Sequence, residues 1–180
     1  LAAGEGTNLA VTVTIPVTAT GGMLDTVVVT ATSEADPGTP PATATSTLTT
    51  TAEATYGVTL LPPDTAQTAL PGTVVTYTLA LTNTGNLTDS VSLSTAGNAW
   101  PVTLPPTVTL AAGEGTNLAV TVTIPVTASG GITDTVTITA TSSGNPGTTA
   151  QSVLATSTTA VPSRYSVWMP LIMVDWNSPE

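Results

Sequence analysis

The sequence has no cysteine, no histidine, no phenylalanine and a single basic residue, Arg164. Without cysteine, neither a disulfide nor a thiolate nucleophile is available. Without histidine or lysine, the commonest general bases, nucleophiles and transition-metal ligands are missing as well, so nothing activates the abundant serine and threonine hydroxyls. Phosphate binding needs clustered lysine and arginine, which excludes nucleic acid as a partner. We therefore expect no enzyme activity, no catalytic residue and no cofactor.

Charge is scarce and of one sign. Only 7% of the residues are charged, and eleven acidic residues against one basic residue give a net charge of −10. Ion pairs can therefore hold little of the fold, which must rest on apolar burial and backbone hydrogen bonds. Hydrophobic residues make up 41% of the chain, and the many valines and threonines favour strands. No segment shows a helical apolar period with caps, so we expect an all-β fold with essentially no helix.

One stretch of the sequence occurs twice. Residues 1–19, LAAGEGTNLAVTVTIPVTA, recur letter for letter at 110–128, an offset of 109 residues. That offset is the size of an immunoglobulin-like (Ig-like) β-sandwich with its connector. We therefore expect residues 1–52 to be the C-terminal half of such a repeat, 53–161 to be a complete repeat, and 162–180 to be an apolar tail strand.

Apolar and polar residues alternate along short segments of the complete repeat, including residues 73–83, 117–124 and 132–141. This alternation indicates antiparallel sheets with one buried face. About seven such strands, separated by turn clusters, are typical of a sandwich. We expect one continuous core made of Val75, Tyr77, Leu79, Leu81, Leu118, Val120, Val122, Ile124, Val136 and Ile138.

Three segments carry a resemblance to a known family: TVVTYTLALTNTGNLTDSVSLS, WPVTLPPTVTLAAGEGTNLAVTVTIP and DTVTITATS, which begin at Thr73, Trp100 and Asp134. They resemble the bacterial Ig-like repeats found in tandem on secreted and cell-surface proteins, of the cell-adhesion-related and glycosidase-associated types. The resemblance covers residues 54–160 and, as a half-copy, 1–50. It implies an extracellular or cell-surface location and a spacer, stalk or adhesion role, but it brings no ligand-binding motif.

Some polar features have more than one interpretation. The threonines that point outward from the predicted strands are Thr12, Thr14, Thr121, Thr123, Thr137 and Thr139. They are plain surface residues, sites of O-glycosylation, or an array that faces ice or polysaccharide. The acids Glu5, Glu114, Asp25 and Asp134 recur at equivalent repeat positions, which would suit a calcium site. They lack the spacing of a calcium-binding loop, so we expect solvated turn acids and no metal site.

Two single residues are candidates for contact with sugars. Trp100 either packs over the edge of the sandwich or stacks on a carbohydrate, and we expect packing. Asn86 begins the triplet Asn86-Leu87-Thr88 in a turn and is a candidate N-glycosylation site.

The tail, Tyr165–Trp176, is apolar and contains no threonine. Twelve residues are too few to span a bilayer as a helix, which needs about 20, so we expect no membrane span. The tail is an edge strand of its own domain, a sorting or anchoring segment, or a strand donated to another chain. The candidate assembly residues are Tyr165, Val167, Trp168, Leu171, Ile172, Val174 and Trp176.

The half-repeat has apolar residues at the core positions of a sandwich but lacks the strands that would cover them. We expect an uncovered face formed by Leu9, Val11, Val13, Ile15, Val27 and Val29. Either the chain is cut from a longer tandem array, or another subunit covers the face. The sequence thus predicts a structural repeat protein that self-associates or packs against neighbouring repeats. The alternative is an adhesin or carbohydrate-binding accessory region that contacts a cell-surface glycan.

Overall fold

The computed structural model describes residues 4–34 and 39–160, and every regular element in these ranges is a β-strand. The all-β prediction is therefore confirmed. The strands are β1 (Leu24–Thr32), β2 (Thr43–Thr51), β3 (Val58–Leu61), β4 (Asp64–Ala69), β5 (Val74–Asn83), β6 (Asp89–Ala96), β7 (Val102–Thr103), β8 (Thr107–Leu110), β9 (Gly115–Thr123), β10 (Thr133–Ser142) and β11 (Thr149–Thr158).

Strands β3 to β11 form an Ig-like sandwich of two sheets. One sheet has the order β4-β11-β10-β6-β8 and the other has the order β3-β5-β9-β7. The chain changes sheet between β3 and β4 at Pro62-Pro63, where the Leu61–Pro62 peptide bond is cis. The prediction of antiparallel pairing holds except for β4, which pairs in parallel with β11.

The core lies between the two sheets. All ten predicted core residues belong to one buried cluster, and none is more than 5% exposed. The cluster also contains Leu60, Trp100, Leu110 and Leu154. Each such side chain contributes about 1.5–3 kcal/mol by leaving water, so this row of alternating residues supplies most of the driving force for folding.

Strands β1 and β2 form a separate two-stranded sheet that repeats the β10–β11 pair of the sandwich. Val27 pairs with Leu48 in the same way as Val136 pairs with Leu154. Val27 is 109 residues before Val136, whereas Leu48 is 106 residues before Leu154, because the connection between β1 and β2 is three residues longer.

Candidate assembly surface

Residues 6–14 have the same sequence as β9 but a different structure. In the sandwich, β9 lies between β5 and β7 and forms ladders with both. Residues 6–14 form no strand and no ladder within the described part of the chain. The same nine residues are therefore the centre of a sheet in one copy and an unpaired segment in the other.

The open face, defined as Leu9, Val11, Val13, Ile15, Val27 and Val29, is the apolar surface of this half-repeat. Leu9, Val11 and Ile15 are 74%, 40% and 45% exposed. The remaining three are half-buried. At the equivalent positions of the sandwich no residue is more than 3% exposed: Leu118, Val120, Val122, Ile124, Val136 and Ile138.

A cleft of about 480 Å³ adjoins the open face. Its walls include Val13 from the unpaired segment, Ile15 just after it, Leu24 and Asp25 from β1, and Thr50 from β2. The half-repeat therefore presents both an apolar face and polar groups beside it, a threonine hydroxyl and a carboxylate.

Asn86 joins the half-repeat to the sandwich. Its side-chain Oδ1 accepts the backbone N–H of Thr55 at 2.8 Å, and its Nδ2 donates to the carbonyls of Glu53 and Ala19 at 2.9 and 3.3 Å. Its own carbonyl accepts the N–H of Gly21 at 3.1 Å. A glycan on Nδ2 would replace an N–H group that this joint uses, so the candidate glycosylation site is also a structural contact.

The interpretation of the recurring acids as solvated is wrong for Asp134. This carboxylate is 9% exposed and accepts the backbone N–H groups of Ala99 and Trp100 at 2.9 and 3.0 Å. The two N–H donors replace the hydrogen bonds to water that the carboxylate loses on burial. Its counterpart Asp25 is exposed, and Glu114 accepts the N–H of Ala111 within its own turn. The described residues contain no group of three or more acids that could hold a metal ion.

Trp100 is 7% exposed and belongs to the core, so the packing interpretation is confirmed. The outward threonines of the predicted ladders are exposed or half-buried, and their role stays a prediction.

The tail and its candidate assembly residues lie outside the described residues. Within the described ranges, no helix has the length and apolar character needed to cross a membrane.

Comparison with known proteins found similar chains only among solved structures. No family model and no curated protein matches it. Similar solved structures include the PapD-like domain 7 of human CEP192, with 14% identity and a TM-score of 0.41, covering 58% of this chain and 84% of that one. The Escherichia coli chaperone DraB has 14% identity and a TM-score of 0.42, covering 58% and 56%. The CsuC–CsuE chaperone–tip adhesion subunit complex of Acinetobacter baumannii has 14% identity and a TM-score of 0.38, covering 59% and 57%. This chain thus spans little more than half the length of the last two.

Proposed function

We propose that the chain is a structural segment of an extracellular repeat protein, a stalk, sheath or filament subunit, that acts by self-association and not by catalysis. The observation that carries this proposal is the open face, whose Leu9, Val11 and Ile15 are 40–74% exposed although their counterparts are core residues. Large contiguous apolar patches on soluble domains mark interaction sites.

The sheet edges also favour assembly. Natural proteins discourage edge-to-edge pairing with lysines, and this chain has none. A two-stranded sheet such as β1–β2 is only marginally stable by itself, so a partner that covers it is stabilising.

The tail strand, Tyr165–Trp176, is the candidate donor for this assembly. Donation of the tail of one copy to the open face of the next would be a head-to-tail contact, and such contacts propagate as fibres. A single strand covers only part of a sheet, so contacts with the neighbour's sandwich would complete the interface.

The test measures mass by light scattering and inspects particles by negative-stain electron microscopy over a range of concentrations. We expect the full chain to form rods or polymers. Val11→Asp, which places a charge on the open face, should abolish them, whereas Thr12→Asp, the same charge on an outward residue that does not line the cleft, should not. A chain that stays monomeric at every concentration contradicts the proposal.

Two further measurements separate the alternatives. Removal of residues 163–180 should abolish the polymers if the tail is the donor, and unchanged polymers would show that it is not. Binding of a monomer to a glycan array would favour the adhesin alternative.

A further inference from the structure

We infer that the open face is a receptor for the first half of a further repeat unit, a segment of the sequence type of residues 54–109, which adds a β5-like strand alongside residues 6–14. The inference deepens the proposed function and rests on it for treating this face as an assembly surface. It also specifies the register and the polar contacts of the partner.

The register follows from the ladder inside the sandwich. There, β5 pairs with β9 so that Leu79 lies opposite Leu118 and Val75 lies opposite Val122. Because residues 6–14 repeat β9 letter for letter, the incoming leucine should lie opposite Leu9 and the incoming valine opposite Val13. A shift by one residue would turn the apolar side chains of the incoming strand away from the open face.

The first polar contact is a hydrogen-bonding position for a tyrosine hydroxyl. In the sandwich, the hydroxyl of Tyr77 donates to the Ala155 carbonyl at 2.8 Å and lies 2.8 Å from the Thr156 hydroxyl. Thr50 holds the position of Thr156 in the half-repeat, 106 residues earlier, and lines the cleft beside the open face. A β5-like strand would therefore bring its tyrosine to Thr50.

The second contact involves a serine on β2, the strand that also carries Thr50. In the sandwich, the buried hydroxyl of Ser152 donates to the Pro62 carbonyl at 2.7 Å. Ser46 holds this position in the half-repeat and is exposed. The partner should therefore bring the carbonyl of a Pro62-like residue as well as a strand.

The third contact is a carboxylate. Asp25 holds the position of Asp134, which accepts two backbone N–H groups of the segment before β7. Three polar residues that join the two halves of the sandwich are thus all present in the half-repeat, together with the apolar face. The tail sequence fits this set less well, because Pro170 near its middle has no backbone N–H to donate to a ladder.

The experiment supplies the partner directly by joining a second copy of residues 54–109 to Leu1 of the full chain. In the natural sandwich, residue 109 precedes Leu110, which corresponds to Leu1. Hydrogen exchange then reports on the amides of residues 6–14. We expect them to exchange at least about 100-fold more slowly in the extended chain than in the original one. Amides that remain unprotected in the extended chain overturn the inference.

A disulfide tests the register, since the chain has no natural cysteine. In the extended chain, Ala10→Cys is combined with Thr78→Cys in the added copy, because Thr78 lies opposite Ala119, the counterpart of Ala10. This pair should cross-link about ten-fold faster than Ala10→Cys with Thr76→Cys, whose residues are two positions apart in the ladder. Equal rates for the two pairs overturn the assigned register.

A matched pair of variants shows whether the open face is responsible. Val11→Asp in the extended chain should remove the protection of residues 6–14, whereas Thr12→Asp, on an outward residue that does not line the cleft, should retain it. The outcome is independent of self-association: if the original chain never polymerises but the extension protects these residues, the proposed function fails and the receptor stands. If the original chain polymerises but residues 6–14 stay unprotected in the extended chain, the proposed function stands and the receptor inference fails.

Discussion

The chain contains its own control for the effect of burial, because Leu9 and Leu118 lie in identical sequence. Leu118 is 3% exposed and pairs with the fully buried Leu79, whereas Leu9 is 74% exposed. Any difference between Leu118→Ala and Leu9→Ala therefore comes from tertiary structure, since the intrinsic strand preference of the neighbouring residues is the same.

Leu118→Ala removes three buried carbon atoms and leaves a cavity between the sheets. Such a change costs about 3–4 kcal/mol, the sum of lost transfer free energy and a cavity term. For a domain of this size, the melting temperature should fall by roughly 12–20 °C. Leu9→Ala changes an exposed side chain and should alter the free energy of unfolding by less than about 0.5 kcal/mol.

The assay is thermal and urea unfolding followed by circular dichroism, at a concentration where light scattering shows a monomer. Equal destabilisation by the two changes would show that Leu9 is buried in the monomer, which contradicts the exposed placement of residues 6–14. An unchanged melting temperature for Leu118→Ala would show that β9 does not pack its leucine between the sheets.

Three further predictions follow from single contacts and from charge. Asp134→Asn should lower the free energy of unfolding by about 1.5–3 kcal/mol, because the new amide N–H₂ group faces a backbone N–H from which the carboxylate accepted a hydrogen bond. In the same unfolding assay, the control Asp25→Asn should be neutral. Asn86→Ala should loosen the joint between the half-repeat and the sandwich, so that a glutamate-specific protease cuts after Glu53 faster than in the control Asn98→Ala. Equal cleavage rates would show that Asn86 does not hold this joint together. Self-association, measured by light scattering, should be stronger near pH 4 than at pH 8 because protonation reduces the net charge of −10, and weaker association at pH 4 would refute this.

The alternation of apolar residues was enough to predict the core. It placed Val75, Tyr77, Leu79 and Leu81 on one face, and the structure buries all four. The prediction succeeds because a strand with one buried face has a side-chain period of two, and the turns on either side limit where each strand can end.

The alternation did not predict β4 or the role of Asp134. β4 has the sequence DTAQTA, which lacks a row of large apolar residues, and it lies at the edge of its sheet. Its parallel ladder with β11 depends on backbone groups that every residue has, so composition gives no signal. The donors that meet Asp134 come from a segment about 35 residues earlier, and only the folded chain brings them together.

The open face shows the same division. The repeat in the sequence predicted the six residues of the open face, but the contacts proposed for Thr50 and Ser46 follow only from those of Thr156 and Ser152 in the structure. Those contacts join strands that are far apart in the chain, so neither local pattern nor spacing reveals them.

The sequence by itself determined which side chains of the repeated stretch lie on one face, because alternation is a local property and both copies share it. It did not determine whether that stretch becomes a strand. Residues 115–123 are a central strand with β5 and β7 on either side, whereas residues 6–14, the same letters, form no ladder with any other part of the chain that the structure describes. The physical reason is that the hydrogen bonds and the buried apolar contacts of a strand belong to pairs of segments, so only the tertiary structure decides which copy has a partner.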